Sequence, residues 1–295
     1  MVGRIDDGQI VVGIDSAENS DEALMWAADT AALRGVPLVL THALASPSTQ
    51  RGSQDITAER VHAVAEALLV AKRDAVYDVH PQLEVHLEMT PSNPADAMLA
   101  RAQGAALLVV GSRHRGPVGR LFLGSVSHAA VTQSPIPVAV VRHRAADSDG
   151  PVVVGVEASE DCDVSLEYAF REAADRKVAL HAVRAWMPDI AIGYGIAVLD
   201  SEVLPTLLAD EQSALEATVN KHAAEHPEVE LRTAVVEGDP TTVLVGAAAN
   251  AQLVVIGTHS RGPLGRIFLG SVSTNVLHAV EIPVVVVPGK HPVVD

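Results

Sequence analysis

The stretch GSRHRGPVGRLFLGSVS at residues 111–127 returns as GTHSRGPLGRIFLGSVS at residues 257–273, with twelve of seventeen positions identical. Each copy follows a short apolar run, LLVVG at residues 107–111 and LVVIG at residues 253–257, which is typical of a buried parallel strand. Each copy ends in Gly-Ser-Val-Ser, which predicts the start of a helix with serine as its N-cap. The repeated order is therefore strand, glycine-containing loop and helix N-terminus.

This order suits an anion, because the N–H groups of a first helical turn and the helix dipole both attract negative charge. Residues 111–135 and 257–280 contain no Asp or Glu, although the chain has a formal net charge of −16. The arginines in these two stretches are Arg113, Arg115, Arg120, Arg261 and Arg266. Glycines in such a loop can also serve helix packing alone, but the repetition favours a phosphate site in each copy.

The composition limits the classes of function. With 37 acidic against 21 basic residues, the chain lacks the basic surface expected of a nucleic-acid-binding protein. Residues 1–146 carry 12 basic and 15 acidic residues, whereas residues 147–295 carry 9 and 22, so the second half is the more acidic. Cys162 is the only cysteine, which excludes an intrachain disulfide and suits a reducing compartment. No apolar span reaches about 18 residues, so we expect a soluble, cytoplasmic protein without a membrane partner.

The rest of the chain also reads as two copies. Matched apolar runs predict five strands in each copy, at residues 10–15, 36–43, 83–89, 107–111 and 136–141, and at residues 152–157, 178–185, 229–235, 253–257 and 282–287. Strands that alternate with helices predict an α/β fold with a parallel sheet covered on both faces. We therefore expect two tandem doubly wound domains, at residues 1–146 and 147–295.

Local signals place several helices. Asn93-Pro94 and Asp239-Pro240 each predict an N-cap followed by proline in the first turn. The aromatics Trp26 and Tyr168 occupy matching positions and are expected in the two cores. An apolar helix face is predicted from the spacing of Val61, Val64, Ala65, Leu68 and Leu69.

Nearly the whole chain resembles a tandem universal stress protein. The residues that carry the resemblance are VVGID at 11–15, VVGS at 109–112, the loop, LGSVS at 123–127 and IPVAVV at 136–141. The resemblance implies a five-stranded parallel sheet of order 3-2-1-4-5 in each copy. It also implies ATP binding, with Mg²⁺ possible beside it, in members with the pattern G-x-x-G, nine residues, then G-S or G-T.

We predict that copy one binds an adenine nucleotide and that copy two contributes a second site. The candidate residues in copy one are Ile14, Asp15, Ser16, Ala43, Gly111, His114, Arg115, Gly116, Gly124, Ser125, Val126 and Ser127. Those in copy two are Glu157, Gly257, Ser260, Gly262, Gly270, Ser271, Val272 and Ser273. His42, near the end of the second strand, is expected close to the same cleft.

The chain departs from the family's pattern in both copies. His114 and Ser260 stand where nucleotide-binding members place the second glycine. In copy two, Glu157 occupies the position that Asp15 has in copy one. A side chain in place of that glycine would crowd the phosphates. Copy one, which keeps the aspartate, is therefore the better nucleotide candidate. The departures also favour a rival hypothesis, a nucleotide-free interaction scaffold of the same fold.

Other activities find less support. A slow ATPase has only Ser125 and Ser271 in its favour, and no catalytic residues are predicted. No histidine stands at ligand spacing from Cys162, and we predict no metal site. The apolar edge strands at 136–141 and 282–287 should be covered, either by intrachain pairing of the two domains or by a second chain in a homodimer, and an unknown protein partner is expected.

Overall fold

The computed structural model describes residues 8–15, 19–44, 58–112, 123–145, 149–157, 162–187, 203–258 and 269–289. The chain divides into two compact units, unit 1 at Met1–Arg144 and unit 2 at Ala145–Asp295. Each unit is described below by itself.

Unit 1 alternates strands and helices along the chain. Its elements are β1 (Gln9–Gly13), α1 (Asn19–Arg34), β2 (Leu38–Ala43), α2 (Ala58–Val79), β3 (Val85–Thr90), α3 (Pro94–Arg101), β4 (Ala105–Gly111), α4 (Ser125–Gln133) and β5 (Val138–Val141). The strand order is β3-β2-β1-β4-β5, and every neighbouring pair within this unit is parallel. The predicted α/β fold and sheet order are confirmed here.

Unit 2 repeats this plan. Its elements are β6 (Val152–Gly155), α5 (Asp163–Arg176), β7 (Leu180–Trp186), α6 (Val203–Ala223), β8 (Leu231–Glu237), α7 (Pro240–Ala248), β9 (Leu253–Gly257), α8 (Ser271–Ala279) and β10 (Val284–Val287). The order β8-β7-β6-β9-β10 is again parallel at each step. Because the strands within each unit are parallel to one another, the carboxyl ends of that unit's central strands meet at one edge of its sheet.

Aliphatic side chains form both cores. The central strands β4 and β9 are buried along nearly their whole length, as expected for strands covered on both faces. Trp26 is 4% exposed and Tyr168 is 1% exposed, which confirms that both aromatics lie in the cores. The predicted apolar face of α2 is confirmed at Ala65 and Leu69, which are buried together with Val76, but it is wrong at Val64, which is 71% exposed. None of the helices that the structure describes is long and apolar enough to cross a bilayer.

Helix ends follow the local chemistry in most places. The Asn93 side chain accepts the Ala95 N–H at 2.9 Å, and Asp239 accepts the Thr242 N–H at 3.0 Å, so both predicted N-caps are confirmed. Helix α1 is followed by Gly35 in the left-handed region, with φ of 65°. The matching residue after α5 is Lys177, with φ of 56°, where a side chain is unfavourable.

Candidate functional site

Unit 1 has a cavity at the carboxyl edge of its sheet. The ends of β1, β2 and β4 form one side, α3 contributes Met98, and the start of α4 closes the other side. The cavity has a volume of about 140 Å³. Gly13 also lies at this edge. A Cβ at this position would come within 3.0 Å of the Met98 sulfur, so a larger residue would require the Met98 side chain to shift.

The residue that caps the start of α4 is not the predicted serine. The N-cap is Gly124, which has φ of −64° and ψ of 163° and offers no side-chain hydrogen bond, so the N-cap role expected of serine is wrong. Ser125 is the first helical residue, and Ser127 Oγ instead donates to the carbonyl oxygen of Gly111 at 2.7 Å. This hydrogen bond ties the helix start to the end of β4.

Unit 2 repeats the same arrangement. Gly270 is the N-cap of α8 without a side-chain hydrogen bond, and Ser273 Oγ donates to the Gly257 carbonyl oxygen at 3.1 Å. The first helical hydrogen bonds, His128 N–H to Gly124 O and Thr274 N–H to Gly270 O, also match. The N–H groups of the three residues before each of these bonds have no acceptor within the helix, and neither first turn contains an acidic residue.

The ends of β1 and β2 are joined in unit 1 by hydrogen bonds to main-chain carbonyl groups. The Ile14 N–H donates to Thr41 O at 2.9 Å, and His42 Nδ1 donates to Ile14 O at 2.8 Å. A carbonyl can only accept, so Nδ1 carries a proton, and in the tautomer with this single ring proton Nε2 is a hydrogen-bond acceptor. Ser20 Oγ donates to Asp15 O at 3.1 Å, which holds the half-buried Asp15 at the rim.

One buried hydroxyl in this cavity has no protein partner. Thr41 is 3% exposed and lines the cavity, and its Oγ1 makes no hydrogen bond. Buried polar atoms are nearly always paired, so an unpaired one beside a cavity calls for an explanation.

Unit 2 has a larger cavity, of about 400 Å³, at the matching edge of its sheet. Its main difference is Arg184, which takes the place of His42 in the repeat and is 4% exposed. Arg184 Nη1 donates to Glu211 Oε2 at 3.4 Å, Nη2 donates to Glu157 O at 3.5 Å, and Nε has no partner. These bonds are longer than the usual N–H···O range, so this buried guanidinium is poorly satisfied.

Cys162 also lines the cavity of unit 2. It is 7% exposed and directly precedes α5. Burial raises the pKa of its thiol, the Asp163 carboxylate raises it further, and the Arg184 guanidinium opposes both. The thiol is therefore mostly protonated at neutral pH, which disfavours a role as a nucleophile.

The structure brings most of the predicted residues of copy one together. Those around the cavity of unit 1 are Ile14, Asp15, Ala43, Gly111, Gly124, Ser125, Val126 and Ser127. Around the cavity of unit 2 lie Glu157, Gly257, Val272 and Ser273, while Gly270 and Ser271 form the start of α8. Six predicted residues lie outside the described residues: Ser16, His114, Arg115, Gly116, Ser260 and Gly262. A ligand role for all of them stays a prediction.

Several residues that line the cavities were not predicted from the sequence. Thr41 and Met98 in unit 1, and Arg184, Trp186 and Glu211 in unit 2, belong to this group. The repeat itself holds a signal for Arg184, because the offset that aligns the second strands places it opposite His42. Glu211 lies on α6, and nothing in its local sequence indicates that contact.

In the part of the chain that the structure describes, no three His, Cys, Asp or Glu side chains are grouped to hold a metal ion. His222 and His226 are four residues apart, but both rings stack on Phe170, with ring centroids 6.3 and 5.4 Å from it.

Comparison with known proteins decides the family. The sequence profile of the universal stress protein family matches the chain twice, at residues 8–142 and 150–288. The chain belongs to the universal stress protein family. The two matches coincide with the two repeats, so this is a tandem member, as the resemblance predicted.

Relatives of the same length support this assignment. A universal stress protein of Mycobacterium tuberculosis is 33% identical over 291 residues, which cover 94% of this chain and 96% of the relative. One of Mycolicibacterium smegmatis is 32% identical over 304 residues, covering 97% and 99% of the two chains. The crystal structure of a universal stress protein from Archaeoglobus fulgidus has the same fold, with a TM-score of 0.68, 18% identity and coverage of 95% and 98%.

Proposed function

We propose that unit 1 of this universal stress protein binds an adenine nucleotide, with ATP as the first candidate. Occupancy rather than turnover would then set the protein's conformation or its choice of partner. The observation that carries the proposal is the cavity where the uncapped start of α4 faces the ends of β1 and β2.

The phosphates would lie at the start of α4. The backbone of Gly124 is extended, a conformation that any residue adopts, so glycine is not required there by its φ angle. We expect glycine, which has no side chain, to leave space beside the N–H groups of Ser125, Val126 and Ser127. Those groups and the helix dipole would bind phosphate oxygens. Mg²⁺, if it takes part, would enter with the triphosphate.

The sugar and the base would lie toward β1 and β2. Asp15 at the end of β1 offers a carboxylate, which accepts hydrogen bonds from ribose hydroxyl groups. His42 Nε2 is an acceptor in the tautomer whose Nδ1 donates to Ile14 O. The exocyclic amino group of adenine donates hydrogen bonds, so acceptors at this end favour adenine.

The described residues of this cavity favour binding over catalysis. The Nδ1–H of His42 donates a hydrogen bond to a main-chain carbonyl group and not to a carboxylate. The described residues of the cavity therefore do not form a relay of serine, histidine and carboxylate. The proposed regulatory role depends on nucleotide binding in this cavity without catalysis. The scaffold hypothesis predicts the same fold with no nucleotide.

Two matched variants of the full chain test the proposal by titration calorimetry with ATP. Gly124→Val should weaken ATP binding to unit 1 at least about tenfold, because a branched side chain would fill the space at the helix start. Gly270→Val in unit 2 is the control, and it should leave ATP binding to unit 1 unchanged. Absence of ATP binding by the wild-type chain, together with no nucleotide released from freshly purified protein on denaturation, would favour the scaffold.

A further inference from the structure

The two cavities differ in hydrogen-bonding character where β2 and β7 end. In unit 1 this position is His42, whose Nδ1 proton is held by Ile14 O. In unit 2 it is Arg184, a side chain that only donates. A ligand group that suits one position is therefore mismatched at the other.

We propose that unit 2 selects a 6-oxopurine nucleotide, such as a guanine nucleotide, while unit 1 selects the 6-amino base. This inference rests on the proposed function and adds the identity of the base in each unit. The Arg184 side chain lines the cavity, and within the described residues its Nη1 and Nη2 form only long hydrogen bonds, of 3.4 and 3.5 Å. Each of these nitrogens carries two N–H groups, so the guanidinium keeps donors for an acceptor group of a ligand.

A simple anion fits this end of the cavity less well than an oxopurine does. The carboxylate-bearing Glu157 and Glu211 line the same cavity as Arg184, and they would repel a second negative charge. A 6-oxopurine has the matching mixture of groups. Its O6 and N7 accept hydrogen bonds from arginine, and its N1–H and 2-amino groups donate to carboxylates.

Adenine would be disfavoured at the same place. Its 6-amino group would face the arginine donors where guanine presents O6, so adenine would lose one hydrogen bond and keep only its N7 acceptor. The rest of the cavity suits a flat ring, because Trp186 and Leu244 also line it and an aromatic side chain offers a stacking surface. The start of α8 repeats the phosphate-binding features proposed for α4.

Equilibrium dialysis of the full wild-type chain with ATP and GTP together is the first test. We expect one ATP and one GTP per chain. In a Gly124→Val background, which weakens the site of unit 1, GTP and inosine triphosphate should each bind to unit 2 at least about tenfold more tightly than ATP. This comparison changes only the nucleotide, so it does not require any variant of Arg184 to fold.

Arg184→His then places in unit 2 the residue that unit 1 has, and it should reverse the preference toward ATP. His42→Arg is the matched change in unit 1 and should weaken ATP binding there. If the unit 2 site binds ATP as tightly as GTP, the inference is overturned while the proposed function of unit 1 stands. If the wild-type chain binds neither nucleotide, both fail.

Discussion

Replacing Arg176 with methionine should destabilise unit 2 far more than the same change at Arg34 destabilises unit 1. The Glu172 side chain on α5 has no exposed surface, and Arg176 Nε donates to its Oε2 at 2.9 Å. Arg176 Nη1 also donates to Gln252 Oε1 at 3.3 Å, and Gln252 Nε2 donates to Gly150 O at 2.8 Å. Methionine keeps the apolar stem but removes the charge from this buried network.

The expected difference follows from what the variant leaves behind. Removing one partner of a buried ion pair costs about 3–5 kcal/mol, because the other charge remains buried. In unit 1 the position of Glu172 is taken by Thr30, whose Oγ1 donates to Trp26 O at 2.8 Å. Arg34→Met therefore leaves no buried carboxylate at that position, and we expect it to cost less than about 1 kcal/mol.

Each unit has one tryptophan, Trp26 or Trp186, so urea unfolding can be followed by fluorescence in each unit separately. A Trp26→Phe background reports unit 2, and a Trp186→Phe background reports unit 1. Adding Glu172→Gln to Arg176→Met should recover part of the lost stability, because no charge then remains buried. Equal losses for the two arginine variants, within about 0.5 kcal/mol, would refute the reasoning.

Three further changes have expected outcomes of their own. Lys177→Gly should stabilise unit 2 by about 0.5–1 kcal/mol in urea unfolding, because glycine adopts the positive φ at no steric cost. Asp239→Ala should lower the same free energy by about 1 kcal/mol, because the Thr242 N–H loses its cap; an unchanged midpoint would contradict this. Burial, aided by the Arg232 charge, lowers the pKa of His181, so the unfolded state binds its proton first as pH falls below about 6.5 and stability decreases. His181→Gln should remove that decrease from a series of unfolding curves between pH 7 and 5.

The strands were predictable from sequence because buried parallel strands are runs of aliphatic residues. Their first residues were less predictable. The fifth strand was expected from residue 136, but β5 begins at Val138, directly after Pro137. Likewise, β10 begins at Val284, after Pro283. Proline has no N–H to donate to a neighbouring strand, so only its carbonyl group takes part in the pairing: Pro137 O accepts the Leu108 N–H, and Pro283 O accepts the Val254 N–H, each at 3.0 Å.

The serine cap could not be predicted correctly from local sequence. A Gly-Ser pair permits either residue to be the N-cap, and here Gly124 takes that position. The hydroxyl group that holds the start of α4 is that of Ser127, which donates to the carbonyl oxygen of Gly111, sixteen residues earlier in the chain. This contact exists only once β4 and α4 have packed together.

The cavity of unit 2 shows a similar limit. The repeat indicates that Arg184 aligns with His42, but not that the arginine is buried. Its partial pairing with Glu211 depends on how α6 packs over β7, which no local pattern of residues specifies.

The uncapped starts of α4 and α8 have a consequence for amide exchange. Most helices carry their cap within the chain, whereas here the position that would hold it is glycine. An anion bound at that point would act as the cap and would hold the first turn closed against fraying. Amide protons at residues 125–127 and 271–273 would then exchange with solvent more slowly when the cavity is filled, so the first turn of each helix would report the ligand bound beside it.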